Sequence, residues 1–307
     1  MNERLPDRIA RRRRELRRRQ IRRRRITALS VLALIVAVPV FVIAGGGGGP
    51  DPTGTSNSPR GGSGPSTETV AGTDVPESKG AQPDSSWQPS EAPVPILMYH
   101  VIGDAADGAA LPGLFLSVDN FTEQVDWLDE NGYTAVTLVQ VQDAWYDGGT
   151  LPEKPIVLSF DDGYLGQYLE AMPILAEHGW AGQLNLKAEG SDLSSKQVKK
   201  MIGAGWEIAS HTITHPDLPS MDAATLETEV AGSKTELEEE LGIEIVNFCY
   251  PAGKYDDAVV AAVEAAGYRG ATTVDPGLAD RDEPFTLKRI RIDQSYGSAE
   301  LASLLGA

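Results

Sequence analysis

Apolar and polar positions fall into three regimes along the chain. From Ile26 to Ala44 an uncharged, mostly apolar run extends for 19 residues. At about 1.5 Å per residue, such a run is just long enough to cross a hydrocarbon core of about 30 Å. Residues 45–92 are rich in Gly, Pro, Ser and Thr and lack apolar periodicity, so they read as a disordered, flexible linker. From residue 93 the pattern alternates. Strand-like runs are predicted at 95–100, 134–137, 155–160, 183–187, 207–210, 246–250, 269–273 and 287–292. Between them lie helical patterns. Asn120 with Glu123 reads as a cap pair ahead of Phe121, Val125 and Leu128 on one face. Ser194 with Gln197 reads as a capping box. Further helices are predicted over 138–146, 167–178, 222–241 and 255–266.

This alternation predicts a parallel α/β architecture, and seven or eight strands in one domain favour a barrel over an open sheet. No Gly-x-Gly-x-x-Gly follows the first strand, so a dinucleotide fold has no support. The chain thus divides into a basic tail (1–25), a transmembrane helix (26–44), a linker (45–92) and a folded domain (93–307).

Charge sharpens this division. The chain carries a net charge of -17, yet residues 1–25 hold 13 arginines against three acids, and residues 93–307 hold 12 basic against 35 acidic side chains. Arginines on one side of an apolar run place the N-terminus in the cytoplasm and the folded domain outside. A cleaved signal peptide, giving a secreted protein, is the competing reading. An acidic domain excludes a nucleic-acid partner, which needs a basic face, and is compatible with a neutral glycan. The single cysteine, Cys249, rules out an intrachain disulfide and reads as a buried structural thiol.

The candidate chemistry sits at strand ends. Asp161 and Asp162 close the apolar run Pro155-Ile-Val-Leu-Ser-Phe160, and two adjacent carboxylates need a nearby cation or a shared proton. His211 and His215 lie four apart, so one helical turn would set them on one side. One carboxylate and two imidazoles make a three-ligand set with an open position, as in catalytic zinc sites, leaving the second carboxylate free as a base. His100, Tyr250 and Pro251 also follow strands, and in a parallel barrel such ends share the active face.

Ser159-Phe-Asp-Asp-Gly163 resembles the first motif of the polysaccharide deacetylase family (NodB-like, carbohydrate esterase family 4), and His211-Thr-Ile-Thr-His215 resembles its second. Asn247-Phe-Cys-Tyr-Pro-Ala-Gly253 stands where the third lies. The resemblance covers about residues 93–295. It implies a distorted (β/α) barrel of about seven strands and the hydrolytic removal of acetyl groups from N-acetylglucosamine units. It also implies a divalent metal, most often zinc, on Asp162, His211 and His215. Asp161 would be the general base, and the backbone N–H of Ala252 an oxyanion donor. Tyr250 would line the substrate cleft or merely pack, and Pro251 would line the cleft. The expected partner is an acetylated amino-sugar polymer of the cell envelope, with a membrane contact through the 26–44 helix and no obligate protein partner. Polysaccharide O-acetyl ester hydrolysis and metal-retaining glycan binding are the alternatives.

Three positions depart from the family pattern. The third motif's arginine is replaced by Cys249 and its tyrosine by Ala252. The late histidine that serves as general acid is missing, since the histidines are His100, His178, His211 and His215. His100 is the expected substitute acid, with a core histidine bonded to a carbonyl as its alternative. Arg289 or Arg291 is the expected substitute for the orienting arginine. His178, before Gly179 at a helix end, reads as structural.

Overall fold

The computed structural model describes residues 79–106 and 108–306. The predicted basic tail, the transmembrane helix and most of the linker lie outside the described residues. Among the described residues, no helix is long and apolar enough to cross a membrane.

Among the described residues ten strands form: β1 (Ile96–Tyr99), β2 (Val101–Ile102), β3 (Phe115–Leu116), β4 (Tyr133–Ala135), β5 (Lys154–Asp161), β6 (Gln183–Leu186), β7 (Glu207–Ser210), β8 (Asn247–Cys249), β9 (Gly270–Pro276) and β10 (Leu287–Arg291). The main sheet runs β1-β10-β9-β8-β7-β6-β5, and a β1–β5 pairing closes it into a parallel ring of seven. β4 joins the start of β5, and β2–β3 form a separate pair that sequence periodicity did not reveal because each strand is two residues long. The ring is thin at three places: β7 meets β8 only at Ser210↔Phe248, and β1–β10 and β10–β9 each pair at two positions, the latter across a register shift. That is the distortion of the barrel.

Alternation along each strand sorts residues between two cores. Outward residues pack under the helices. Tyr99 stacks on Phe160 with ring centroids 5.2 Å apart, Phe121 meets both edge-on, and Trp206 lies 5.1 Å from Phe160. Contacts of this kind add about 0.5–1.5 kcal/mol each beyond burial. Inward residues are unusually polar: Ser159 and Asp161 on β5, Gln183 and Asn185 on β6, Glu207 on β7, Asn247 on β8 and Arg289 on β10 are all buried or nearly so. They bond one another, as buried polar groups must. At the bottom Asn247 donates to Glu207 and exchanges bonds with Gln142. Near the top Asn185 donates to Asp161.

Two helix starts differ from expectation. The first helix spans Val118–Glu130 and is capped by Ser117, whose side chain accepts from the Asn120 N–H. Ser117 holds extended backbone angles one residue before the helix, so Asn120 is already inside it. The acidic helix of 222–241 is interrupted by a wide turn at Thr228–Gly232 between Ala223–Glu227 and Ser233–Leu241.

Residues 79–92, assigned to the linker by composition, pack on the barrel. Trp87 is buried in the cluster of Ile96, Val141, Trp145 and Leu151, and Gln88 exchanges two backbone bonds with Leu151. One large aromatic suffices to anchor a segment whose other residues carry no periodic signal.

Candidate metal centre and active site

β5 ends at Asp161, and the chain then turns through two left-handed residues, Asp162 at φ 75° and Gly163 at φ 74°. Gly163 is required there, because an added Cβ would lie 2.3 Å from Ser191 Oγ. The turn sends the two neighbouring carboxylates to different surroundings.

Asp161 points into the barrel. Arg289 Nη1 donates to Oδ1 at 2.8 Å and Nη2 to Oδ2 at 2.9 Å, while Asn185 Nδ2 donates to Oδ1 at 2.6 Å. Arg289 is fully buried, and it also donates to the Thr273 carbonyl, Ser159 Oγ and Cys249 Sγ. Burial of Asp161 opposes its ionisation, but Arg289, followed by His100, outweighs it and holds the carboxyl well below its usual range. Arg291, the other candidate for this role, is exposed at the rim.

Asp162 faces the histidines. Its Oδ1 lies 3.8 Å from His211 Nε2 and 3.7 Å from His215 Nε2, and the three ligand atoms lie within 4.8 Å of one another. The histidine pair does not ride on a helical turn. Thr212 and His215 both adopt left-handed angles, φ 67° and 61°, and fold the loop back so that the rings meet at 4.8 Å. Glu229 pins this loop, accepting from the N–H groups of Ile213 and Thr214 and from Thr214 Oγ1. His211 Nδ1 donates to the Cys249 carbonyl at 2.7 Å, which leaves Nε2 with its lone pair toward Asp162.

These donors fit a tetrahedral divalent ion. Zinc–ligand bonds of about 2.0–2.2 Å call for donor atoms about 3.4 Å apart, close to the spacings here. Two imidazoles and one carboxylate are a donor set that could hold a divalent metal ion. A second cluster, Asp161, His211 and Cys249, is equally compact. It does not suit a cation. Arg289 already neutralises Asp161 and donates to Cys249 Sγ, so a second cation there would face a buried guanidinium.

His100 stands at the end of β1 with Nε2 3.8 Å from Asp161 Oδ2 and its side chain 13% exposed. Burial lowers its pKa, opposed by Asp161 and Asp162. Gln167 ties the two strand ends together, its Nε2 donating to the carbonyls of His100 and Asp161. Ala252 is exposed just after β8, in a left-handed conformation at φ 52°. Of the two readings of Tyr250, packing matches its surroundings, and the Pro251 side chain is covered as well. Both are buried, and the Tyr250 hydroxyl donates to the Phe285 carbonyl at 3.0 Å. Tyr250 is the outward residue of its strand, in the layer of Phe248 and Tyr268. His178 pairs with Asp126 and Asp129 of the first helix.

Sequence reasoning did not single out Asn185, Glu229 or Lys187. Lys187 follows β6 and places Nζ 3.7 Å from Asp162 Oδ1. Alternation on Gln183-Leu-Asn-Leu-Lys187 could have flagged Asn185 and Lys187 as inward polar positions. Glu229 had no such signal inside an acidic helix.

A profile described as Polysaccharide deacetylase matches residues 148–271. The Bacillus subtilis protein YxkH, assigned to the polysaccharide deacetylases, is 31% identical over 223 residues, covering 70% of this chain and 78% of its own. The Escherichia coli poly-β-1,6-N-acetyl-D-glucosamine N-deacetylase is 27% identical over 268 residues, covering 71% of this chain but only 39% of its own length. Among solved structures, the Streptococcus pyogenes deacetylase PplD, in complex with acetate, superposes with a TM-score of 0.66 at 27% identity. That match covers 70% of this chain and 99% of PplD.

Proposed function

The chain belongs to the polysaccharide deacetylase family, and from that premise we propose that it hydrolyses N-acetyl groups on an amino-sugar polymer of the cell envelope. The observation that carries this reading is the convergence of Asp162, His211 and His215 beside a separate, ionised Asp161. The relative that deacetylates poly-β-1,6-N-acetyl-D-glucosamine makes that polymer the first candidate, with peptidoglycan the second.

An acetamide has a poor electrophile and a poor leaving group. A divalent ion on Asp162, His211 and His215, zinc being the best fit, would polarise the acetyl carbonyl and acidify the attacking water. Asp161 accepts the water proton; Arg289 keeps it ionised and fixes its orientation from both oxygens. Its low basicity would be tolerable because an ion held by Asp162, His211 and His215 would acidify the water. The Ala252 N–H donates to the developing oxyanion. His100 delivers a proton to the departing amine nitrogen, so that acetate and a free amine leave. The arginine-rich tail and the apolar run at 26–44 support an extracytoplasmic domain held at the membrane.

The test is acetate release from chitooligosaccharides, poly-β-1,6-N-acetylglucosamine and purified peptidoglycan. Release from at least one, abolished by chelator and by Asp161→Asn, is expected. Release from none of the three sinks the reading.

A further inference from the structure

The paired carboxylates each have a cation, and the two cations are of different kinds. Asp161 has Arg289, fully buried, bidentate at 2.8 and 2.9 Å, with further bonds to Thr273 and Ser159. That partner cannot leave without stranding charge in the barrel. Asp162 has Lys187, whose Nζ stands at 3.7 Å from Oδ1, beyond hydrogen-bond length, with its side chain 18% exposed at the rim. No other hydrogen bond or ion pair holds the Lys187 ammonium among the described residues. A lysine on a flexible stem at the edge of solvent can swing away.

The same oxygen, Asp162 Oδ1, is the one toward which His211 Nε2 and His215 Nε2 converge. A metal ion and the Lys187 ammonium therefore address a single acceptor. Alternation on β6 explains the placement: Asn185 faces inward and reaches Asp161, and Lys187, two residues on, reaches Asp162.

We propose that Lys187 is a displaceable counter-cation for Asp162 that sets the affinity of the Asp162–His211–His215 centre for its metal. It neutralises the carboxylate while the centre is empty and must withdraw, or be repelled, when a divalent ion arrives. The inference rests on the metal reading above and concerns binding rather than turnover.

The sign of the effect separates this role from a structural one. A lysine that merely holds Asp162 in place would loosen metal binding when removed. A competing cation would tighten it.

The experiment titrates the full-length protein, stripped of metal, with Co²⁺ alone, following the visible absorption of tetrahedral cobalt, and with Zn²⁺ against a competing chelator. Lys187→Met is expected to bind both ions about tenfold more tightly than wild type. Lys187→Arg, which retains the charge, is expected to stay within about threefold of wild type. Lys187→Gln serves as a second neutral variant should methionine disturb the fold. Unchanged or weaker binding in the neutral variants overturns the proposal while leaving the metal reading intact. A wild-type protein that binds neither ion overturns both.

Discussion

Arg289 grips both carboxylate oxygens of Asp161 from a position 128 residues further along the chain. Position 249 is a cysteine, and the cation on Asp161 comes from β10, two strands along the ring from β8, with the guanidinium in contact with the Cys249 sulfur at 3.3 Å. The pairing decides which of two adjacent carboxylates is fixed as an anion inside the barrel and which is left for the histidines.

Arg289→Met should destabilise the fold by about 3–5 kcal/mol, because it leaves a buried carboxylate without its cation. Urea denaturation at neutral pH measures this. A loss below about 1 kcal/mol would show that Asp161 is far better solvated than its burial indicates.

Stability should fall on acidification. Asp161 has a folded pKa depressed below the ordinary carboxylate value of 3.8, so its contribution is complete above that value and is lost as pH drops toward the folded one. Glu207 acts in the opposite sense. Burial raises its pKa above 4.5, so its contribution is complete below that value and declines as pH rises through the folded one. Denaturation midpoints from about pH 2 to 8 should give a steep acid limb that flattens in Arg289→Met.

His100→Ala should lower turnover by about 10²–10⁴-fold, the usual range for a general acid. Metal content should be unchanged, since His100 is not among the converging ligands. Elemental analysis beside an acetate assay tests both halves. Near-normal turnover would make His100 a core histidine.

Loss of a ligand should be visible without any assay of activity. A saturating divalent ion at about 100 times its Kd stabilises a folded protein by about 2.7 kcal/mol. Wild type should therefore melt at higher temperature with zinc present, and His211→Ala and His215→Ala should not. Chelation should reverse the shift.

Cys249 should resist alkylation. The thiol is buried and pushed up to about 12, so little thiolate exists at neutral pH. Mass spectrometry after iodoacetamide treatment should find it unmodified in the native protein and labelled in denaturant. Rapid native labelling would show the sulfur to be open to solvent and overturn its burial.

Much of this arrangement was legible in the sequence because it depends on local pattern. β5 reads as a strand from its own apolar run, and Asp161 and Asp162 announce themselves at its end. The inward positions of Ser159 and Asp161 follow from alternation alone. What escaped depends on distant parts or on backbone geometry. The spacing of His211 and His215 suggests a helix, yet left-handed Thr212 and His215 accomplish the same approach in a loop. Tyr250 follows a strand, as rim residues do, but the strand's pleat turns it toward Phe248 and away from the mouth. Arg289 and Arg291 stand two apart with similar sequence surroundings. Only closure of the ring decides that the first is buried on Asp161 and the second remains outside.

Trp87 and the Gln88–Leu151 bonds extend the packed body upstream of its first ring strand. Any proteolytic trimming meant to keep this packing intact must therefore cut before Trp87. A cut closer to β1 would remove a wedge from the barrel floor and expose Trp145 and Leu151, turning a soluble fragment into a sticky one.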